Sequence, residues 1–230
     1  ITSKLFPGNP QWHREPKNYN ECIKACDNSL NRLGLDYLDC YLIHAPFCAK
    51  HRLEQWSALV DLKKDGKLKS IGVSNYSEKH IEEIISAGLE IPEVNQIELH
   101  PWCQKTELVS FLEQKSIKIV AYSSLVPLDT WREKPNQDSA KSEKMKKDGA
   151  DENSFFKKLS KKYTVTEAQI LLKWGLQKGF VILPKSSDTN RIKENFELNF
   201  DIDQLDMDLI SGMERGDGVA WPGGDPCNAE

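Results

Sequence analysis

Short apolar runs alternate along the chain with longer stretches in which apolar residues recur at helical spacing. Residues 19–33 place Ile23, Cys26 and Leu30 on one face of a predicted helix, and a glycine follows as a C-cap. Residues 38–43 form a mostly apolar run, which is typical of a strand buried on both faces. The same patterns predict further helices over 53–64, 77–87, 105–114, 166–177 and 188–196, and further strands over 1–5, 70–75, 94–97, 117–124 and 180–184.

Six predicted strands, each except the last clearly followed by a helix, indicate a parallel α/β sheet that is either doubly wound or closed as a barrel. The phosphate-binding patterns GxGxxG and GxxxxGK[ST] of doubly wound folds do not occur in the sequence. We therefore favour a (β/α)8 TIM barrel, in which catalytic groups project from the carboxyl ends of several strands.

Polar or charged residues stand at the carboxyl ends of five predicted strands. A histidine after one strand is also explained as a cap that a backbone carbonyl satisfies. Five such ends are hard to explain as separate caps, so we expect a site at this edge of the sheet. The residues concerned are His44, Ser74 with Asn75, Gln96 with Glu98, Tyr122 with Ser123, and Lys185 with Ser186.

Composition limits the partners. At 230 residues with 39% hydrophobic content, the chain can bury the core of one large domain. The net charge of −4 provides no general attraction to nucleic acid or to anionic membranes, and no apolar run approaches the roughly 18 residues of a membrane-spanning helix. Six scattered cysteines, with Cys22 and Cys26 four residues apart, indicate reduced thiols in a cytoplasmic protein and no zinc site.

Two segments interrupt the alternation. Residues 128–153 are highly charged and nearly free of aliphatic side chains, and they predict either a disordered insertion or a lid over a ligand. Residues 216–230 are rich in Gly and Pro and predict a tail that crosses the same face or extends freely. The chain starts at Ile1 within an apparent strand, so we expect an N-terminal segment to be missing from this sequence.

Six motifs together resemble the aldo-keto reductases, and the resemblance extends over essentially the whole chain. It implies a (β/α)8 barrel without its first two βα units, and NADPH-dependent reduction of an aldehyde or ketone to an alcohol. The sequence is most similar to the microbial branch that reduces ketoamides and conjugated polyketones. The motifs are "ITSKL" at 1–5, "LDYLDCYLIHAP" at 35–46, "GKLKSIGVSN" at 66–75, "VNQIELHPW" at 94–102, "AYSSL" at 121–125 and "LPKSSDTNRIKENF" at 183–196.

The resemblance implies that Lys4 and His44 are catalytic, with His44 orienting the carbonyl and Lys4 lowering the pKa of a tyrosine acid. Such an acid must supply a proton as hydride reaches the carbonyl carbon. The family's tyrosine and aspartate precede "TSK", and Tyr19, Tyr37 and Tyr41 do not match their contexts. We therefore expect the functional protein to be longer by about 50 to 80 residues, and monomeric once the barrel is complete.

By the same resemblance, Ser74, Asn75 and Gln96 bind the nicotinamide carboxamide of NADP(H), and Tyr122 stacks on its ring. Lys185, Ser186 and Arg191 are expected to bind the 2′-phosphate, together with free N–H groups of the helix that starts near Asp188. Asp188, an acidic residue where an uncharged one is common, slightly weakens the expected preference for the 2′-phosphate of NADP(H). Further cofactor contacts are expected at Ser123, Leu125, Glu194 and Asn195.

The expected substrate is a small carbonyl compound, which we predict to contact Ala45, Phe47 and Trp102. Ala45 stands where the family often has a bulky aromatic residue, so the pocket is expected to be wide there. Trp131 and Trp221 are additional candidates. Two other hypotheses remain open, namely a cofactor-binding regulatory subunit with little turnover and an inactive truncated barrel that serves as an interaction protein.

Overall fold

The computed structural model describes residues 1–128, 151, 154–216, 218–221 and 224–230. Within them the strands are β1 (Thr2–Leu5), β2 (Leu38–Ile43), β3 (Leu68–Ser74), β4 (Val94–Glu98), β5 (Lys118–Tyr122) and β6 (Val181–Ile182). The α-helices are α1 (Tyr19–Leu33), α2 (Arg52–Lys64), α3 (Glu78–Ser86), α4 (Thr106–Gln114), α5 (Phe155–Tyr163), α6 (Glu167–Gln177), α7 (Thr189–Glu194) and α8 (Gln204–Ser211). Short 3-10 helices cover Pro10–Trp12, Ala49–His51 and Pro226–Asn228.

The described residues form two compact units. The first contains Ile1–Ile97, Ser110–Lys118 and Asp225–Glu230, and the second contains Glu98–Val109 and Ile119–Gly224. The prediction that residues 1–230 form one barrel domain stays a prediction.

In the first unit, β1, β2, β3 and β4 pair in chain order, and every pairing is parallel. Leu5 lies opposite Ile43, Ile43 opposite Val73, and Ser74 opposite Gln96. Because parallel strands with this register end together, the residues that follow them lie at one edge of the sheet. The parallel α/β arrangement predicted from the sequence is confirmed here.

Helix α1 begins and ends where its local sequence predicts. Asn18 accepts a hydrogen bond from the N–H of Glu21, whose carboxylate accepts one from the N–H of Asn18, and this reciprocal capping box satisfies the first turn. Gly34 ends the helix at φ +66°, a conformation that glycine adopts without steric cost. The helix buries Cys22, Cys26 and Leu30.

In the second unit, β5 and β6 pair in parallel, with Val120 opposite Val181. Strand β6 is only two residues long, shorter than the predicted 180–184. Helices α5 and α8 were not predicted, and each begins at a side-chain cap, from Ser154 and Asp203 respectively. The predicted loop 128–153 lies outside the described residues except at its ends, so neither of its interpretations is tested.

All six cysteines lie in the described part of the chain, and none forms a disulfide. Five are buried, and only Cys40 is partly exposed. Burial raises the pKa of Cys22 to about 12 and that of Cys26 to about 11, because the thiolate would lose its hydration. Over the described residues, no helix is long and apolar enough to cross a membrane, and no group of His, Cys, Asp and Glu is placed to hold a metal ion.

Candidate active site

The first unit places Lys4 and His44 at the carboxyl ends of two adjacent strands. Lys4 is paired with Leu42 in the β1–β2 ladder, two residues before His44. The N–H of His44 donates to the carbonyl oxygen of Leu5 at 2.9 Å, which extends the ladder by one residue. The backbone of His44 is therefore fixed directly beside the strand that carries Lys4.

Burial shifts the pKa of both side chains. Burial, with a further contribution from the Lys4 ammonium, lowers the pKa of His44 to about 4. Burial also lowers the pKa of Lys4, opposed by the neighbouring Cys40. At neutral pH the imidazole of His44 is therefore uncharged, and it can orient a carbonyl oxygen through an N–H without carrying a proton to be transferred.

A cluster of polar groups joins the ends of β2, β3 and β4. The Ser74 hydroxyl donates to the carbonyl oxygen of Gln96 at 2.7 Å, and the N–H of Asn75 donates to the same oxygen at 2.9 Å. The Asn75 amide nitrogen donates to the His44 carbonyl oxygen at 3.0 Å and to the Ser74 hydroxyl at 3.1 Å. The structure thus brings four predicted site residues together.

Asn75 holds an unusual backbone conformation, with φ +62°. Asparagine tolerates this left-handed region better than most residues, but the conformation still costs energy and requires support from its surroundings. The two side-chain hydrogen bonds to His44 and Ser74 supply that support. Such supported outliers occur often at functional sites, which agrees with the predicted position of Asn75.

A series of aromatic contacts in the first unit begins at His44. The Phe6 ring lies edge-on to the His44 ring with 6.4 Å between centroids, and it stacks on Trp12 at the same distance. Trp12 in turn contacts the edge of Phe47 at 5.2 Å. Phe47, predicted as a substrate contact, therefore belongs to an aromatic cluster that includes His44.

The segment that carries Trp12 is held at its base. Lys17 donates its N–H to the Pro7 carbonyl oxygen at 2.8 Å, which closes the segment 7–17. The side-chain amide of Gln55 on α2 donates to the carbonyl oxygens of Pro7 and Lys17, at 3.1 and 2.8 Å. Trp12 is thus positioned by a buried residue of a neighbouring helix.

In the second unit, Tyr122 ends β5, and its ring is half-buried. The indole N–H of Trp221 donates to the Tyr122 hydroxyl oxygen at 2.9 Å. Ser123 follows at φ +57°, which ends the strand, and Leu125 lies half-buried in the turn after it. The Trp221 contact links the tail to a predicted cofactor residue.

Two of the N–H groups expected to be free at the start of α7 are already hydrogen-bonded, which corrects that part of the prediction. The Asp188 carboxylate accepts hydrogen bonds from the N–H groups of Asn190 and Arg191 at 3.0 and 2.9 Å, so these donors are already used. The Ser186 hydroxyl also accepts from the N–H of Asp188 at 3.0 Å. Lys185 and Arg191 are both exposed, and their binding of a phosphate stays a prediction.

Glu194 ends α7, and Asn195 is its C-cap residue, donating its N–H to the Arg191 carbonyl oxygen at 3.0 Å. Both side chains are half-buried. The Glu194 carbonyl oxygen accepts a hydrogen bond from Gln169 on α6 at 3.2 Å, which fixes the end of the helix. Their predicted contacts with the cofactor stay predictions.

Two of the predicted substrate contacts are buried. Ala45 is 0% exposed and Trp102 is 4% exposed. The Arg215 guanidinium lies 3.8 Å from the centre of the Trp102 ring, and Phe156 packs against the same side chain. Both residues lie in the interior, their contact with a substrate stays a prediction, and Trp131 lies outside the described residues.

A model of the aldo/keto reductase family matches residues 1–215. The chain belongs to the aldo/keto reductase family. It is 36% identical to an uncharacterized oxidoreductase of Schizosaccharomyces pombe, over 91% of this chain and 68% of that protein. It is 34% identical to the glyoxal reductase of Bacillus subtilis, over 94% of this chain and 71% of the relative. A crystal structure of a Gox0644 mutant in complex with NADPH matches with a TM-score of 0.78 and 35% identity, over 100% of this chain and 74% of that one.

Membership confirms three of the sequence predictions, namely the family, a fold of the (β/α)8-barrel class and an oxidoreductase. The catalytic and cofactor roles of individual residues in this aldo/keto reductase are not tested by the comparisons. Neither are the family's tyrosine and aspartate, which the matched motifs of this chain do not contain. The length and oligomeric state of the functional protein also stay predictions.

Sequence reasoning missed Trp12 and the Trp221–Tyr122 hydrogen bond. Trp12 lies in a segment without hydrophobic periodicity, and the only local signal was the Asn9-Pro10 pair that caps a short 3-10 helix. Trp221 was considered as a substrate contact, but its partner is 99 residues away along the chain. Such a contact has no local sequence signal.

Proposed function

We propose that this aldo/keto reductase reduces a small aldehyde or ketone to an alcohol with NADPH. The observation that carries the proposal is the pair of Lys4 and His44 at adjacent strand ends, with His44 held by backbone contacts on two sides. A neutral, oriented imidazole beside a buried lysine is suited to a carbonyl oxygen on which negative charge develops.

Lys4 contributes a cation that is partly withdrawn from water. Because burial strengthens electrostatic interactions, its ammonium favours an oxyanion or a deprotonated acid nearby more strongly than an exposed lysine would. We assign no general acid within the chain. Tyr41 is 1% exposed and its pKa is raised by burial to about 12, and the Tyr19 hydroxyl donates to Asp61, so neither is suited to the role.

The polar cluster of Ser74, Asn75 and Gln96 fits the nicotinamide carboxamide because it gathers buried side-chain hydroxyl and amide groups at one strand edge. When bound, the reduced cofactor supplies the hydride. Separately, Lys185 and Arg191 are suited to bind the 2′-phosphate through their side chains. The NADPH complex of Gox0644 supports this choice of cofactor.

The substrate class is proposed at the level of small carbonyl compounds. The Bacillus subtilis relative is named a glyoxal reductase, which supports a compound of this kind. The finer placement among ketoamide and polyketone reductases stays a prediction, as do the absence of nucleic-acid binding and the cytoplasmic location.

The test is made in the full-length protein and compares His44→Ala with His51→Ala, which alters a histidine of the same unit away from the strand ends. We expect His44→Ala to lower kcat/KM for carbonyl reduction by about 100-fold or more, while the Kd for NADPH and the melting temperature stay nearly unchanged. His51→Ala is expected to retain activity. Equal activities of the two variants, or unfolding of His44→Ala, would show that His44 is only a structural cap.

A further inference from the structure

Glu98, the last residue of β4, carries a buried carboxylate, since the residue is 1% exposed. The N–H of Val219 donates to this carboxylate at 2.8 Å, and the N–H of Ala220 donates to its two oxygens at 3.2 and 3.0 Å. The ring nitrogen Nε2 of His100 lies 3.0 Å from the same carboxylate. Three donors from two segments of the second unit therefore converge on one side chain.

The carboxylate of Glu98 stays ionised in this setting. Burial opposes the charge, but the His100 hydrogen bond and the two tail N–H groups outweigh it, and they hold the pKa below its usual range. A buried charge with fewer donors would be strongly destabilising. The ionised Glu98 carboxylate is therefore stabilised by the N–H groups of Val219 and Ala220, and these N–H groups in turn have it as their acceptor.

The segment that precedes the tail is fixed by other contacts. Arg215 donates its N–H to the Trp102 carbonyl oxygen at 3.0 Å, and its guanidinium covers the Trp102 ring. The side-chain amide of Gln104 donates to the carbonyl oxygens of Ile210 and Ser211, at 3.0 and 3.2 Å. Ile210, Ser211 and Arg215 are therefore held by contacts that do not involve the Glu98 carboxylate.

Trp221 follows the two residues that Glu98 holds, and its indole N–H donates to the hydroxyl oxygen of Tyr122 at 2.9 Å. Tyr122 is half-buried at the end of β5, and the next residue, Ser123, turns the chain away at φ +57°. The far end of the tyrosine ring is thus held by the tail, while its backbone is held by the strand.

We propose that Glu98 is a positioning residue which, through the segment 219–221, fixes the ring of Tyr122 for stacking on the nicotinamide. This inference rests on the proposed function, in which the protein binds NADPH. Its consequence is that a side chain with no contact to the cofactor controls how well the nicotinamide half is bound. Binding of the adenosine half should not depend on Glu98.

The experiment measures nucleotide binding to purified Glu98→Gln, Trp221→Phe and the double variant, with Glu107→Gln as the matched change at an exposed glutamate of the same unit. The side-chain amide introduced by Glu98→Gln would present N–H groups to the tail donors. The phenyl ring introduced by Trp221→Phe would retain the aromatic bulk but lack the indole N–H. NADPH is titrated by its own fluorescence, and 2′-phospho-ADP-ribose, which lacks nicotinamide, is titrated by calorimetry.

We expect each single variant to raise the NADPH Kd about fivefold and to shift the emission of bound NADPH, and the double variant to be no worse than either single one. The Kd for 2′-phospho-ADP-ribose should stay within about twofold in all variants, and Glu107→Gln should match the unmutated protein. Independent roles would instead multiply the two effects to about 25-fold. That result, or an equal loss of the nicotinamide-free fragment, overturns the inference.

NADPH binding by the unmutated protein separates the role of Glu98 from the proposed function. An unmutated protein that binds no NADPH overturns both, whereas normal NADPH binding with unchanged variants overturns only the role of Glu98. Should Glu98→Gln not fold, Ala220→Pro removes one tail N–H and leaves the carboxylate in place. Its effect must then be non-additive with Trp221→Phe, and additivity would contradict the proposal.

Discussion

Asp188, the N-cap residue of α7, places a negative charge between Lys185 and Arg191 in the sequence, the two cations proposed to bind the phosphate. Its carboxylate caps α7 by accepting the N–H groups of Asn190 and Arg191, and these hydrogen bonds lower its pKa, so it is ionised at neutral pH. The side chain therefore stabilises the helix and opposes a phosphate at the same time. Which effect dominates at Asp188 can be measured by changing the charge alone.

We expect Asp188→Asn to lower the Kd for NADPH by about two- to fivefold and to leave the Kd for NADH nearly unchanged, because asparagine is an equally good cap without the charge. The modest size follows from solvent screening at this exposed position. Calorimetric titration of both nucleotides measures the effect, with Asp208→Asn on α8 as the control. Equal changes for NADPH and NADH would show that Asp188 acts on the loop and not on the phosphate.

At the scale of elements, helix α3 begins with a capping box that uses a histidine. The His80 Nδ1 accepts from the Ser77 N–H at 3.1 Å, and its Nε2 donates to the Ala229 carbonyl oxygen at 2.9 Å. Both bonds together require the neutral ring. Burial, with a smaller contribution from Arg52, lowers the pKa of His80 to about 4.

The protonation of His80 makes the stability of the protein sensitive to acid. An unfolded histidine takes up a proton near pH 6.5, whereas folded His80 does so only near pH 4. Between these values the unfolded state binds more protons, so the free energy of unfolding falls as pH falls, by at most about 1.4 kcal/mol per pH unit for this residue. Above pH 6.5 the contribution is constant.

We expect His80→Gln to remove the contribution of residue 80 to the pH dependence of the free energy of unfolding, because glutamine also completes a capping box and does not titrate. The free energy of unfolding at pH 7.5 should change by less than about 1.5 kcal/mol. Its decrease between pH 6.5 and pH 4 should be smaller in His80→Gln than in the unmutated protein. Urea unfolding at several pH values measures both quantities. An unchanged slope in His80→Gln would assign the acid sensitivity to other groups.

The sequence predicted most elements because their signals are local. Apolar periodicity and caps placed α1 and β2 at their observed bounds. Helix α5 was missed because its two phenylalanines follow a long charged stretch, and α8 because eight residues rich in acid carry little periodicity. Strand β6 was predicted too long, since an apolar run does not show where pairing stops.

The same limit applies to the candidate site. Strand-end reasoning found His44, Ser74, Asn75 and Gln96, because chain direction alone places such residues at one edge. It could not find the contacts of Glu98 with Val219 and Ala220, which join positions more than 120 residues apart. It also could not give the burial of Ala45, because exposure depends on packing partners that one strand does not specify.

At the scale of the whole molecule, NADPH should stabilise the folded protein by mass action, because the unfolded chain has no site for it. At 100 times its Kd, NADPH is expected to raise the free energy of unfolding by about 2.7 kcal/mol. For a chain of this size that corresponds to roughly 5 to 10 °C in the melting temperature. Thermal unfolding at fixed protein concentration measures the shift.

Arg191→Ala is the matching variant for this measurement. Losing one charge-assisted contact with the phosphate should raise the NADPH Kd about tenfold, and it should reduce the stabilisation at the same NADPH concentration by about 1.4 kcal/mol. The shift produced by NADH should not change. A protein whose melting temperature does not respond to saturating NADPH would contradict the proposed cofactor.

Because five of the six thiols are buried, their rate of alkylation reports how often the structure opens. A thiol reagent reacts with the thiolate, so Cys22 and Cys26, buried and with raised pKa values, are protected from it for as long as α1 stays packed. Their alkylation can proceed only when the structure opens, so the alkylation rate depends on the frequency of opening. The partly exposed Cys40 supplies the faster reference reaction in the same chain. The native cysteines therefore record how often the fold opens, without any label being introduced.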